Sequence, residues 1–158
     1  MKNDIEVHIR PLEEKDALTS YIWRNDKDVF ALTIPAYKDF TVSYDTELEW
    51  IKRVTKNSDE YRCAIEANGV YVGNIYLTNI TQEEAVYNIF IGNKDYWGKG
   101  VAYKASQLIL KYAFETLHLK RVILEVRKEH TAARELYHKL GFEEIKRDEY
   151  IWMQIKNG

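Results

Sequence analysis

The segment Asp95-Tyr96-Trp97-Gly98-Lys99-Gly100-Val101-Ala102 carries the residue types and spacing that point most directly to chemistry. Two glycines, one residue apart, separate an apolar run from a stretch of helical periodicity. Glycine reaches backbone angles closed to other residues and lets the main chain approach a ligand closely. The first N–H groups of the following helix have no intrahelical partner, and they sit at the positive end of its dipole. Together these suit an anion such as a pyrophosphate, with Lys99 adding charge. An ordinary strand-to-helix turn has the same composition, so the turn alone does not decide. A nucleoside-triphosphate loop does not fit, because no Gly-Lys-Ser or Gly-Lys-Thr follows. A nicotinamide dinucleotide fingerprint does not fit either, because bulky Tyr103 stands where a small third residue is needed.

Other chemistry finds less support. Cys63 is the one cysteine and lies in the apolar alternation of residues 61–67, which suits a buried thiol better than a nucleophile. The four histidines are scattered with no recurring ligand spacing, so no metal is expected.

The turn needs elements to hold it. Glu6–Arg10 alternates and ends at Pro11, as a strand leaving a sheet does. Asp16 is the expected cap of a helix to about Asp28. Residues 29–43, with Pro35, read as a loop, and a second helix is expected over Thr46–Lys56. Tyr61–Ala67 and Val70–Asn79 flank Asn68-Gly69, the strongest short hairpin signal. Glu84–Gly92 is a further strand. Val101, Ala105, Leu108, Ile109 and Tyr112 mark one face of a helix to about Leu117. Val122–Val126 is a buried strand, and Ala133, Leu136, Tyr137 and Leu140 mark a helix closed by Gly141. Phe142–Lys146 and Tyr150–Ile155 end the chain as two strands around Asp148-Glu149. This order predicts a single α/β domain over residues 1–158, with a mixed sheet and helices on its faces.

Of the 158 residues, 46% are hydrophobic and 30% charged, which is a globular balance. The formal net charge of −2 lacks the basic excess of a nucleic-acid binder. Met1–Asp4 has no apolar run behind it, and no stretch approaches a membrane span, so a cytoplasmic protein without membrane attachment is expected.

The pattern Tyr-Trp-Gly-Lys-Gly-Val-Ala, then an amphipathic helix, then Arg121–Val126, then Leu136-Tyr137-His138-Lys139-Leu140-Gly141-Phe142 resembles the GCN5-related N-acetyltransferase (GNAT) superfamily. The order of elements fits from Glu6 to Ile155, with the motifs between about Ile89 and Phe142. The resemblance implies an acyl-CoA N-acyltransferase fold: a mostly antiparallel sheet of about seven strands with about four helices. It also implies acetyl-CoA as cosubstrate, transferred by direct attack to a primary amine of a small molecule or protein N-terminus. A homodimer is one expectation for its assembly. The rival reading is an acyl-CoA-binding module of the same fold with little activity.

The resemblance also assigns residues. Gly98, Lys99, Gly100, Val101 and Ala102 would hold the coenzyme pyrophosphate through their main-chain N–H groups, with Trp97 also counted among the cofactor-binding residues. Asp95 stands where the family has Gln or Arg, and is expected to point away. Phe90, Ile91 and Gly92 would lie on a strand that splays at a bulge and bonds the pantetheine arm, one N–H stabilising the oxyanion. His130 occupies the place of a family Asn, to bond pantetheine or cap the helix. Tyr137 matches the general acid, and it also fits a core tyrosine. The family's usual base position is Val86, so Glu84, two residues earlier on the same face, is the candidate base, with His8 another. The acceptor would lie near the first two helices, where Phe30, Tyr37, Phe40 and Tyr44 accompany Asp26, Asp28, Asp39 and Asp45.

Overall fold

In the computed structural model, which describes residues 4–30, 41–147 and 150–158, the Asn68-Gly69 hairpin forms as its sequence requires. Both residues take positive φ (51° and 83°), as a type I′ turn demands, and Ala67 pairs with Val70 across it. The hairpin joins β2 (Tyr61–Ala67) to β3 (Val70–Thr78), the centre of one half of the sheet. β1 (Val7–Pro11) lies outside β2, and β4 (Glu84–Ile91) pairs with β3. The other half holds β5 (Arg121–Arg127), β6 (Glu143–Arg147) and β7 (Tyr150–Lys156). The seven strands run in the order β1-β2-β3-β4-β5-β7-β6. Each pairing is antiparallel except β4 with β5, which is parallel.

Alternation along the strands creates two cores. On β2, Cys63, Ile65 and Ala67 face one core, and Ala64 faces the other. The larger core packs α4 (Val101–Lys111) and α5 (Thr131–Leu140) on the sheet through Val101, Ala105, Ile109 and Tyr137. The smaller one receives α1 (Ala17–Arg24) and α3 (Tyr44–Val54) through Ala17 and Ile51. Between α1 and α3 the buried Glu47 carboxylate accepts from Ser20 Oγ (2.7 Å) and pairs with Arg24 (3.2 Å). A buried charge needs such partners.

The expected elements are present, with local differences. Asp16 does not cap α1. Its buried carboxylate instead takes both Arg10 nitrogens (2.9 and 2.8 Å) and the Glu13 N–H, which closes the 3₁₀ turn Glu14–Asp16. The helix expected to reach Asp28 stops at Arg24, because the Asn25 side chain bonds the Tyr21 and Val42 carbonyls; a short α2 (Lys27–Phe30) follows. α3 begins two residues early because Ser43 Oγ accepts the Thr46 N–H (3.1 Å). Past Lys111 the α4 helix loosens into a π turn, Tyr112–Thr116. The expected Asp148-Glu149 turn lies outside the described residues.

β4 and β5 position the site. Their pairing covers only Glu84–Val86 against Arg121–Ile123. Beyond that, β4 stays with β3 as far as Ile91, and β5 stays with β7 as far as Arg127. The two strands part, and the sheet opens between them.

Candidate active site

The parted strands leave main-chain groups without ladder partners, and hydrogen bonds show which. Gly92 N–H donates to the Val72 carbonyl (2.8 Å), so Gly92 faces β3. Main-chain groups alternate sides along a strand, so Phe90 also faces β3, whereas Ile89 and Ile91 face the opening. The Glu83 carbonyl, in the same phase, accepts the Lys120 and Arg121 N–H groups on the β5 side. The expected set Phe90, Ile91 and Gly92 is therefore corrected: Ile91 presents its main chain to the opening, Phe90 and Gly92 do not, and Ile89 joins it. No register shift occurs within the β3–β4 pairing; the expected bulge is absent from β4, and divergence from β5 alone makes the splay.

The opening continues into a cavity of about 590 Å³. Ile89, Phe90 and Ile91 line it, as do Trp97, Gly98, Gly100, Val101, Ala102, His130 and Tyr137. The fold thus brings together residues up to 48 positions apart (137 minus 89) on β4, the turn and α5. Gly98 and Gly100 adopt φ of 72° and 81°, the left-handed region that other residues enter only with strain. Gly100 stands at the N-cap of α4, and the first bond of that helix is Lys104 N–H to the Gly100 carbonyl (3.1 Å). The amides of Val101, Ala102 and Tyr103 precede it and have no acceptor within the helix. Trp97 Nε1–H donates to the Ile91 carbonyl (2.8 Å), so the indole bridges the turn and the opened edge.

Gly92 and Lys99 do not line the cavity. Gly92 is sterically required, since a Cβ there would run into the Trp23 ring. The Lys99 ammonium lies over the Tyr96 ring, 5.8 Å from its centroid. Asp95 is also off the cavity, held in a short 3₁₀ turn in which its N–H donates to Asn93 Oδ1.

Tyr137 is 9% exposed, on the α5 face that meets β4. Its ring stands edge-to-face against Tyr87 (5.7 Å, 89°) and Phe142 (5.9 Å, 61°). Burial pushes its phenol up to about 12, and no hydrogen bond contributes to that shift. The phenol therefore stays protonated far above neutral pH and keeps its proton available to the cavity. Tyr87 is held in turn: its hydroxyl lies 2.5 Å from Ser106 Oγ, which donates to the Ala102 carbonyl (2.7 Å). A short buried chain thus links the tyrosine pair to the first turn of α4. His130 precedes α5 without a side-chain capping bond, and burial lowers its pKa, so the imidazole facing the cavity is neutral.

The candidate bases fall elsewhere. Glu84 begins β4, at the end away from the glycine turn, and its carboxylate accepts Arg121 Nε (2.7 Å). It does not line the cavity, nor does Val86. His8 sits on edge strand β1, opposite Glu66, three strands from β4. Cys63 is fully buried with its thiol pushed up to about 11 by burial, which leaves it an unreactive core residue.

On the acceptor side, Asp28 and Val29 of α2 line the same cavity. Asp28 and Asp26 both pair with Lys94 (2.8 and 3.0 Å). Tyr44 opens α3 with its ring edge-on to Tyr21, and Asp45 follows in its first turn. Tyr37, Asp39 and Phe40 lie outside the described residues.

Comparison with known proteins fits this geometry. A family model described as an acetyltransferase (GNAT) domain matches residues 6–143. Spermidine N(1)-acetyltransferase of Escherichia coli (strain K12) is 29% identical over 160 residues, covering 96% of this chain and 82% of that protein. The crystal structure of spermidine N-acetyltransferase from Vibrio cholerae, in complex with CoA and spermine, superposes with a TM-score of 0.85 at 23% identity, over 96% of this chain and 95% of that one. Campylobacter jejuni N-acetyltransferase PseH in complex with acetyl coenzyme A gives a TM-score of 0.75 at 21% identity, over 97% and 100% of the two chains. Strand order, glycine turn and family model agree: the chain belongs to the GNAT family and is an acetyl-CoA-dependent N-acetyltransferase.

Proposed function

We propose that this N-acetyltransferase acetylates a primary amine of a polyamine such as spermidine, using the cavity between β4 and α5. The observation that carries the reading is a single cavity bordered at once by the free edge of β4, the left-handed Gly98–Gly100 turn and the Tyr137 phenol.

Amides of residues 98–102 hold the coenzyme diphosphate, with the positive end of α4 behind them. The opened edge at Ile89 and Ile91 takes the pantetheine arm as an added strand would. Because the Trp97 indole occupies the Ile91 carbonyl, the arm is left the Ile89 carbonyl and the free N–H groups. One of those N–H groups stabilises the oxyanion formed when the neutral amine attacks the thioester carbonyl. Tyr137 gives its proton to the departing sulfur as the carbon–sulfur bond breaks. The proton lost by the new amide passes through water and restores the Tyr137 phenol, so no net proton is consumed. His130, neutral at the mouth of α5, offers a hydrogen bond to the arm. Glu84 has no part, since it serves Arg121 at the other end of β4.

The acceptor class rests on α2. Asp26 and Asp28 share the single ammonium of Lys94, which leaves a net negative charge beside the cavity that favours a polycation. The relatives with a named substrate act on spermidine. Release of free thiol from acetyl-CoA, measured with spermidine, spermine, an amino sugar, an amino acid and a peptide N-terminus, tests this. Spermidine is expected to give a kcat/KM at least about tenfold above the non-polyamines. Equal or faster turnover of another class would remove the polyamine assignment.

A further inference from the structure

Tyr87 stands where β4 and β5 part. Val86 is the last β4 residue paired with β5, and Tyr87 follows it, still paired with Leu77 of β3. Its hydroxyl lies 2.5 Å from Ser106 Oγ, and that serine donates to the Ala102 carbonyl (2.7 Å). Because the Ser106 proton goes to the carbonyl, the Tyr87 hydroxyl is the donor of the pair. Both side chains are buried in the α4 and α5 side of the sheet. The other buried polar or charged side chains among the described residues, Asp16, Ser20, Glu47 and Asn74, lie on the α1 and α3 side. A phenyl ring and a methyl group would fill the same space. Replacing both partners of a buried hydrogen bond by apolar groups is close to neutral for stability. Core stability therefore does not account for the two hydroxyls.

Their contact with Tyr137 does. The described residues give the Tyr137 phenol no hydrogen bond, so the packing of its ring sets where the hydroxyl points. Two rings hold it edge-on, Tyr87 (5.7 Å, 89°) and Phe142 (5.9 Å, 61°). Phe142 has no polar atom to fix it, whereas Tyr87 is tethered at its far end to α4. The tether ends on Ala102, which lines the cavity beside Gly100.

We propose that Tyr87 is the positioning residue of the acid, and that Ser106 ties it to the first turn of α4, holding the Tyr137 phenol at a fixed place relative to the glycine turn. The inference rests on Tyr137 acting as the acid, as proposed above. Neither Tyr87 nor Ser106 lines the cavity, so both act through Tyr137. A general acid must lie within hydrogen-bond reach of the group it protonates, and a misplacement of about 1 Å costs on the order of a hundredfold in rate. With Tyr87→Phe the ring stays and only its tether is lost, so a smaller loss is expected.

Steady-state thiol release with the amine turned over fastest, together with calorimetric titration of acetyl-CoA, tests this. Tyr87→Phe should lower kcat about tenfold and leave the acetyl-CoA Kd within about twofold of wild type. Ser106→Ala alone would strand the Tyr87 hydroxyl in the core, so the second variant is Tyr87→Phe combined with Ser106→Ala, which leaves no orphaned group. It should show the same loss of kcat. Added to Tyr137→Phe, the Tyr87→Phe change should lower kcat by less than about twofold, because the group it positions is already gone. Unchanged kcat in both Tyr87 variants, a loss in coenzyme affinity instead of kcat, or the same tenfold loss on top of Tyr137→Phe would each overturn the inference. Wild-type kcat in Tyr137→Phe alone would instead remove the acid reading beneath it.

Discussion

Tyr137 and Tyr87 meet edge to face in the wall of the cavity, and the difference between them explains which one can act. The Tyr87 hydroxyl is spent on Ser106, whereas Tyr137 keeps its phenol proton free. Tyr137→Phe keeps the ring packing and removes only that proton. It should lower kcat by about a hundredfold or more, as loss of a general acid does, with the acetyl-CoA dissociation constant within about twofold of wild type. Steady-state kinetics with calorimetry would show this; an unchanged kcat would take Tyr137 out of the chemistry. Because burial holds its phenol at about 12, kcat should show no decline through pH 10, where an ordinary phenol loses its proton. Gly100 presents a different kind of dependence. Nothing lies within 4 Å of where a Cβ would stand, so Gly100→Ala meets no clash; it meets the strain of φ 81°. The expected cost is about 1 kcal/mol in urea unfolding, with weaker acetyl-CoA binding as the turn relaxes toward other angles.

At the scale of elements, the splay of β4 from β5 makes the site, and its free edge is pinned at one point by Trp97. Trp97→Phe removes the indole donor and keeps an aromatic wall. Losing one neutral hydrogen bond should raise the acetyl-CoA KM about fivefold and leave kcat within about twofold, because the oxyanion donors and Tyr137 are untouched. A fall in kcat at constant KM would place Trp97 in the transition state instead. Elements also mark how far the sequence could be read. The Asn68-Gly69 hairpin and the Gly98–Gly100 turn were legible because their backbone angles select glycine or asparagine locally. Which residues of β4 face the opening was not legible, since parity depends on the neighbour that each residue bonds, and Val72 lies on another strand. Glu84 was misread for a similar reason: its partner Arg121 is 37 positions away and announces itself in no local pattern. Asp16 was read as a helix cap because its spacing fits, yet Arg10 claims its carboxylate first.

Across the whole molecule, tyrosines stitch both cores, and their burial has a collective consequence. Tyr61, Tyr71, Tyr76, Tyr87 and Tyr137 all have pKa values raised above 10.0, with burial the leading cause in each. They occupy both sheet faces: Tyr87 and Tyr137 pack under α4 and α5, while Tyr71 and Tyr76 bond Asn74 on the side of α1 and α3. Folding therefore favours the neutral phenol at these five of the described tyrosines. A group whose folded pKa is raised contributes its stability in full below the unfolded value and loses it as pH climbs toward the folded one. The protein should thus hold its stability up to about pH 10 and then lose it steeply, several phenols drawing on the same unfolded state at once. Absorbance of tyrosinate, followed together with circular dichroism during an alkaline titration, separates two outcomes. Exposed tyrosines should ionise first with the fold intact, and the buried set should ionise in one step that coincides with loss of structure. Full ionisation of all twelve tyrosines near pH 10 with the dichroism unchanged would mean that water already reaches these rings, including the one proposed to protonate the sulfur.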